Sequence, residues 1–244
     1  MTKQTSIKIS IILGVILIAV LSVILIGYTK VRGIEIDVQY PSNLVIIQKN
    51  DIEQTLKKQY GDLLSYKRNQ IDKDDIQLTL ESNNFVHSVF VSMSPSGILR
   101  ITVKQKNIVA RCFNNEGSSY YVDEQGGKIF NTDYVAHCLI ISGKGIDTNA
   151  YILASKINKD KVLIDWISEI YVNKKDIKLF SSQGDFSITI GDKQDWDIEL
   201  QKLHYLFAYA FQSEGWDDYV NIDLRFHNQA VCTKKPTDDT LSVK

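Results

Sequence analysis

Residues 9–28 carry no charged side chain, and most of them are Ile, Leu and Val. A helix of these twenty residues, at ~1.5 Å rise per residue, is about 30 Å long, which matches the hydrocarbon thickness of a bilayer. Ile9, Leu13, Leu17, Leu21, Leu25 and Tyr28 mark the course of this expected membrane-spanning helix. Lys3 and Lys8 precede the run, and Lys30 and Arg32 follow it. A cleaved secretory signal is the alternative. Its apolar part is usually shorter and ends in a small-residue site of A-x-A type. Here the run ends Ile24-Leu25-Ile26-Gly27-Tyr28-Thr29-Lys30, so an uncleaved anchor is expected.

That segment makes the averages misleading. The whole chain of 244 residues has 28 basic and 29 acidic side chains and looks like a neutral soluble protein. Residues 1–32 hold four of the basic residues and no acidic one, which leaves 24 basic against 29 acidic beyond them, a net of −5. Such a balance excludes nucleic-acid binding by bulk charge. Three prolines, thirteen glycines and three cysteines exclude collagen-like, proline-rich and disulfide-framework chains. The positive-inside rule is nearly silent, with two basic residues on each flank. A short lysine-bearing head before a large trailing region points to residues 1–8 in the cytoplasm and the bulk outside it.

Residues 33–105 have the pattern of one small β-α-α-β-β unit. Ile34, Ile36 and Val38 alternate with Glu35, Asp37 and Gln39, as in a half-buried strand. Asn50, with Glu53 three places on, suggests a capped helix that buries Ile52, Leu56 and Tyr60 and stops at Gly61. A second helix is expected after Asp72, with Ile76 and Leu80 inward. Val89, Val91 and Met93, the turn Ser94-Pro95-Ser96-Gly97, and Leu99, Ile101 and Val103 then form a hairpin. The third strand of the unit is expected to be an edge open to a partner.

Residues 106–235 are richer in strands. The stretch Tyr120 to Phe130 is a hairpin on an Asp/Gly turn. Leu139, Ile140 and Ile141 precede a surface loop, Gly143-Lys144-Gly145. Residues 148–166 suggest one helix, and strands are expected at 167–172, 177–180 and 186–190. Trp196, Leu200, Leu203, Phe207 and Ala210 make the strongest amphipathic helix. Ile222, Leu224 and Phe226 face inward in the next strand, with Asn221, Asp223 and Arg225 outward. His227-Asn228 then turns the chain into a last strand, residues 229–234, and residues 236–244 form a polar, disordered tail.

Little here suggests catalysis. His87, His137, His204 and His227 are too far apart to form a local metal pair, and there is no H-E-x-x-H or C-x-x-C. No catalytic residue, metal or cofactor is expected. Cys112, Cys138 and Cys232 sit in strand-like contexts, as buried thiols or, outside the cytoplasm, as two members of a disulfide. Asp74-Asp75 and Asp217-Asp218 fit helix or strand starts.

The whole order resembles the FtsQ/DivIB bacterial cell-division family, in particular its Bacteroidetes forms. The first unit resembles a POTRA domain. Tyr121-Val122-Asp123-Glu124-Gln125-Gly126 is similar to the family's hydrophobic-Asp-x-x-Gly hairpin. Gly215-Trp216-Asp217-Asp218-Tyr219, Ile222-Asp223-Leu224-Arg225-Phe226 and Asn228-Gln229-Ala230-Val231-Cys232-Thr233-Lys234-Lys235 are similar to its closing pattern. Lys106-Asn107-Ile108 departs from the basic-residue-and-Pro step that the family often has there.

The resemblance implies an α+β architecture: one N-terminal transmembrane helix, a POTRA-like domain, then a strand-rich mixed β domain with a C-terminal edge strand. It also implies a non-enzymatic divisome scaffold in the inner membrane, with its bulk in the periplasm. Such a scaffold binds FtsB/DivIC-type and FtsL-type single-span coiled-coil proteins and helps regulate septal peptidoglycan synthesis. Partner contact is expected at Tyr219, Arg225, Gln229, Ala230, Val231, Cys232, Thr233 and Lys234, by strand addition to the last strand. The competing views are that the tail merely caps that strand and that Arg225 merely pairs with Asp223. The alternative functions are a membrane-anchored periplasmic cell-wall hydrolase or a glycan-binding protein. A translocation chaperone is disfavoured, because a single POTRA-like unit here follows a helical span rather than preceding an outer-membrane barrel.

Overall fold

The structure is a computed structural model that describes residues 3–42, 44–114, 117–130, 134–173, 176–191, 196–211 and 215–236; the side chains of residues 3–10, 23 and 24 lie outside the description. The expected tail at 236–244 lies outside it beyond residue 236. The chain forms two compact units, Met1–Lys106 and Asn107–Lys244.

In the first unit, helix α1 (Lys3–Gly27) is followed by β1 (Gly33–Gln39), α2 (Lys49–Tyr60), α3 (Lys73–Glu81), β2 (Val86–Met93) and β3 (Ile98–Gln105). Along α1, Leu13, Leu17, Leu21 and Leu25 are exposed, as is Tyr28 just beyond it. Among the described residues, no helix is long and apolar enough to cross a membrane. The expected span over residues 9–28 falls partly outside the description, at the side chains of Ile9, Ser10, Val23 and Ile24.

The sheet order is β1-β3-β2. β1 runs parallel to β3, with Ile34 opposite Leu99 and Ile36 opposite Ile101, and β2 is antiparallel to β3. The third strand is therefore the centre of this sheet and not the expected edge. The crossover through α2 and α3 lays β1 on the side of β3 that the hairpin leaves open. Accordingly Leu99, Ile101 and Val103 are fully buried, and among the described residues the free edges belong to β1 and β2.

Local chemistry sets the helix ends. α2 starts at Lys49, before the expected Asn50 cap, because the Asp51 carboxylate accepts the Gln48 N–H at 2.8 Å. Asp72 caps α3 as expected, accepting the Asp74 and Asp75 amides at 3.1 Å each. Among the described residues, the connection from β1 to α2 has no strand partner. Buried Gln105 supplies one: its Oε1 accepts from Ile46 N (2.8 Å) and Ile47 N (3.0 Å), and its Nε2 donates to Leu44 O (2.8 Å).

The second unit holds β4 (Ile108–Phe113), β5 (Ser119–Asp123), β6 (Lys128–Ile129), β7 (Ile140–Lys144), α4 (Thr148–Lys159), α5 (Lys161–Trp166), β8 (Ile167–Asn173), β9 (Asp176–Ser181), β10 (Ser187–Ile190), α6 (Trp196–Tyr205), β11 (Tyr219–Asp223) and β12 (Val231–Lys234). These strands form one nine-stranded sheet in the order β12-β11-β10-β9-β8-β7-β4-β5-β6. Two of its parallel pairs, β7 with β8 and β10 with β11, need helical crossovers, which α4–α5 and α6 provide. Leu153, Ile157 and Leu163 from the first crossover and Leu200, Leu203 and Phe207 from the second share one core with Ile141, Ile170, Leu179 and Ile188.

Three elements ahead of β11 differ from expectation. The helix over 148–166 is broken at Asp160, which is extended (φ −99°, ψ 114°) and caps α5 by accepting the Val162 and Leu163 amides at 2.9 and 3.1 Å. α6 runs on into a π-helical turn, Leu206–Ala210, closed by Phe211 N to Leu206 O at 3.0 Å. The wider turn shifts the face by one residue, so Phe211 is buried and Ala210 is not. Gly143 and Lys144 end strand β7 and pair with Val172 and Asn173, where a loop was expected. Gly143 has φ +103°, and a Cβ there would lie 2.1 Å from Val172 O, so glycine is required.

Gln105→Leu leaves two buried amides and a carbonyl without partners. At ~1–3 kcal/mol each, the first unit should lose about 3 kcal/mol or more. Denaturant unfolding, with m unchanged, checks this.

Candidate functional site

A sheet must stop somewhere, and its last strands carry backbone groups with no ladder partner. Among the described residues this sheet stops at β6, two residues long, and at β12, four residues long. β12 is thus the longer free template. It pairs with β11 through Lys234–Tyr219, Thr233–Asn221, Cys232–Ile222 and Val231–Asp223, with an irregularity between Tyr219 and Asn221. Cys232 is half-buried and packs on the core, whereas Val231, Thr233 and Lys234 are exposed.

Aromatic packing supports the strand from beneath. Tyr219 stacks on buried Phe211 with centroids 5.9 Å apart, and the Lys234 ammonium lies 5.9 Å from the Tyr219 ring centre. Trp166 stacks on Phe207 at 4.4 Å and meets the edge of Trp216 at 5.0 Å. Beyond β12, Lys235 N donates to Asp218 O at 2.7 Å.

The link between β11 and β12 departs from the sequence pattern. Leu224 is buried and its N–H donates to Thr189 O at 2.9 Å, the last bond toward β10. The Asp223 carboxylate then accepts Arg225 N at 3.1 Å and turns the chain. Phe226, expected inward, is 46% exposed. Asn228 has φ +56°, a left-handed conformation that asparagine tolerates. Gln229 N donates to Phe226 O at 3.5 Å, so Gln229 closes the turn, and it and Ala230 lie in the link and not in the strand expected at 229–234.

Arg225 forms the intrastrand pair. Its Nη2 lies 2.7 Å from Asp223 Oδ2 and its Nε 3.0 Å from Oδ1, with the guanidinium half-exposed. This hydrogen bonding by Arg225 holds the Asp223 carboxyl below the usual carboxylate range. Of the eight residues expected at the partner surface, four form β12, Tyr219 opens β11, and Arg225, Gln229 and Ala230 lie in the link. The geometry adds Lys202, whose ammonium donates to Leu224 O and to Phe226 O. It lies some twenty residues from those acceptors in sequence, on a helix whose pattern speaks only of its buried face.

The other chemical candidates lie elsewhere. Burial pushes the Cys112 thiol up to about 12 and Cys138 up to about 11, and raises Cys232 as well. All three thiols are free, and Cys138 precedes β7 outside any strand. His204 Nδ1 lies 2.7 Å from Asp160 Oδ2, and His87, His137 and His227 are exposed. Among the described residues, no group of three His, Cys, Asp or Glu could hold a metal ion.

A POTRA-like domain model matches residues 29–104, and with the mixed sheet that follows it makes this a two-unit α+β protein of POTRA type. Residues 108–233, just over half of the chain, match the family model described as FtsQ/DivIB, C-terminal related. The chain belongs to that family, and its domains are those of cell-division proteins. None of the curated proteins compared with it matches.

The lowered Asp223 carboxyl contributes stability above its unfolded pKa of ~4 and loses it as pH falls through the lower folded value. The 13C shift of the Asp223 carboxyl should therefore hold as pH falls into the usual carboxylate range and move only below it. Arg225→Gln should raise that midpoint toward the unfolded value.

Proposed function

We propose that the chain is a non-enzymatic scaffold of the cell-division machinery. It binds FtsB/DivIC-type and FtsL-type single-span coiled-coil proteins and helps regulate septal peptidoglycan synthesis. The observation that carries this reading is the outer edge of β12, whose backbone groups face away from the sheet beyond its last ladder. A partner segment adding there satisfies those groups, with Val231 and Thr233 on one face and Cys232 on the other. Lys234 and Lys235 keep the edge soluble until it is occupied. Family membership supports the divisional role.

In this reading residues 9–28 anchor the chain in the inner membrane, with residues 1–8 cytoplasmic and the bulk periplasmic. Support comes from the uncharged run itself and from Lys3 and Lys8 ahead of it.

Two experiments test the reading. A full chain truncated after Phe226 should keep its thermal unfolding transition and lose capture of the co-expressed partners; undiminished capture defeats the edge assignment. The intact chain should stay with membranes through an alkaline carbonate wash, and a chain lacking residues 1–28 should move to the soluble fraction. Release of the intact chain by that wash would sink the anchor.

A further inference from the structure

Among the described residues β12 is a short strand held on one side only, so its order depends on the turn that delivers it. That turn, residues 226–229, has weak internal support: one bond of 3.5 Å from Gln229 N to Phe226 O and a left-handed Asn228. Its firm tie comes from the helix layer. The half-buried Lys202 of α6 places one ammonium on two carbonyls, Leu224 O, where pairing with β10 ends, and Phe226 O, on which the turn closes. Both are charge-assisted bonds, the stronger kind. Asp223 and Arg225 satisfy each other beside it and leave both carbonyls to the lysine.

We propose that Lys202 is the positioning residue of the β12 edge, fixing from α6 the turn at Leu224 and Phe226 and holding residues 231–234 ready for an incoming strand. This rests on the reading that β12 receives the partner. An edge already in its bound conformation costs less to occupy, so the lysine acts on affinity without touching the partner. The same geometry makes α6 a lever. A ligand or modification that moves Lys202 weakens the edge from the opposite layer of the unit.

The test uses the full chain in detergent, with co-expressed FtsB/DivIC-type and FtsL-type proteins as the probe. Lys202→Met keeps the stem and removes the donors. Hydrogen-exchange protection of residues 231–234 should fall about tenfold, and partner affinity about tenfold, with protection of β8 and β9 unchanged. Lys202→Arg, which can reach both carbonyls, should restore both readouts. Should Lys202→Met fail to fold, Lys202→Gln, with an uncharged amide on a shorter stem, should give losses in the same direction. Wild-type protection and affinity in the folded Met or Gln variant overturn the proposal, as does lost protection with affinity intact. If the chain truncated after Phe226 still captures the partners, the edge reading itself has failed. If truncation abolishes capture and the Lys202 variants bind normally, the role of Lys202 alone has failed.

Discussion

The parallel pairing of β10 with β11 governs the far end of the second unit. Ser187, Ile188 and Thr189 lie opposite Asn221, Ile222 and Asp223. Parallel neighbours cannot be joined by a tight turn, so the chain must leave the sheet, cross one face and return. α6 makes that crossing and buries Trp196, Leu200, Leu203 and Phe207 on the way. Each such side chain is worth about 1.5–3 kcal/mol of burial. With that register fixed, β11 ends beside α6, and the next strand can only be added on the outside. Edge, turn and Lys202 contact all follow from one crossover.

Much of this was legible in the residue pattern, because strands and helices advertise their buried faces. Ile188 and Ile190, or Leu200 and Leu203, repeat at the spacing their elements require, and Asp72 and the Asp123–Gly127 turn announce themselves by local chemistry. The misses share a cause. The π-helical turn that swaps Ala210 for Phe211 and the break at Asp160 each change a helix by one residue, which periodicity over a long window averages away. The central place of β3 is a matter of pairing between residues far apart in sequence. Gln105 and Lys202 are polar residues whose acceptors are backbone atoms on distant elements, and no side-chain pattern records those.

The surface near the edge is less polar in effect than its composition suggests. Arg225 looked like a cation held out to a partner, yet Asp223 engages it on two atoms. An exposed pair of this kind is worth about 0–1 kcal/mol. Its larger effect is geometric, since the same carboxylate accepts the Arg225 amide and bends the chain away from β10. Charge here shapes the backbone.

Gln105 sets a schedule for folding. It is the final residue of β3, and its amide closes a loop at residues 44–47, about sixty positions earlier. A chain made from its N-terminus onward therefore has α2 and α3 long before it can finish the unit that contains them. Until residues 98–104 arrive, β1 lacks its neighbour β3, and until residue 105 follows them three backbone groups wait in water. Gln105 thus completes the unit just before the first residues of the second unit appear. A pause in synthesis shortly before that point would hold the unit half-made, and one shortly after would let it close alone.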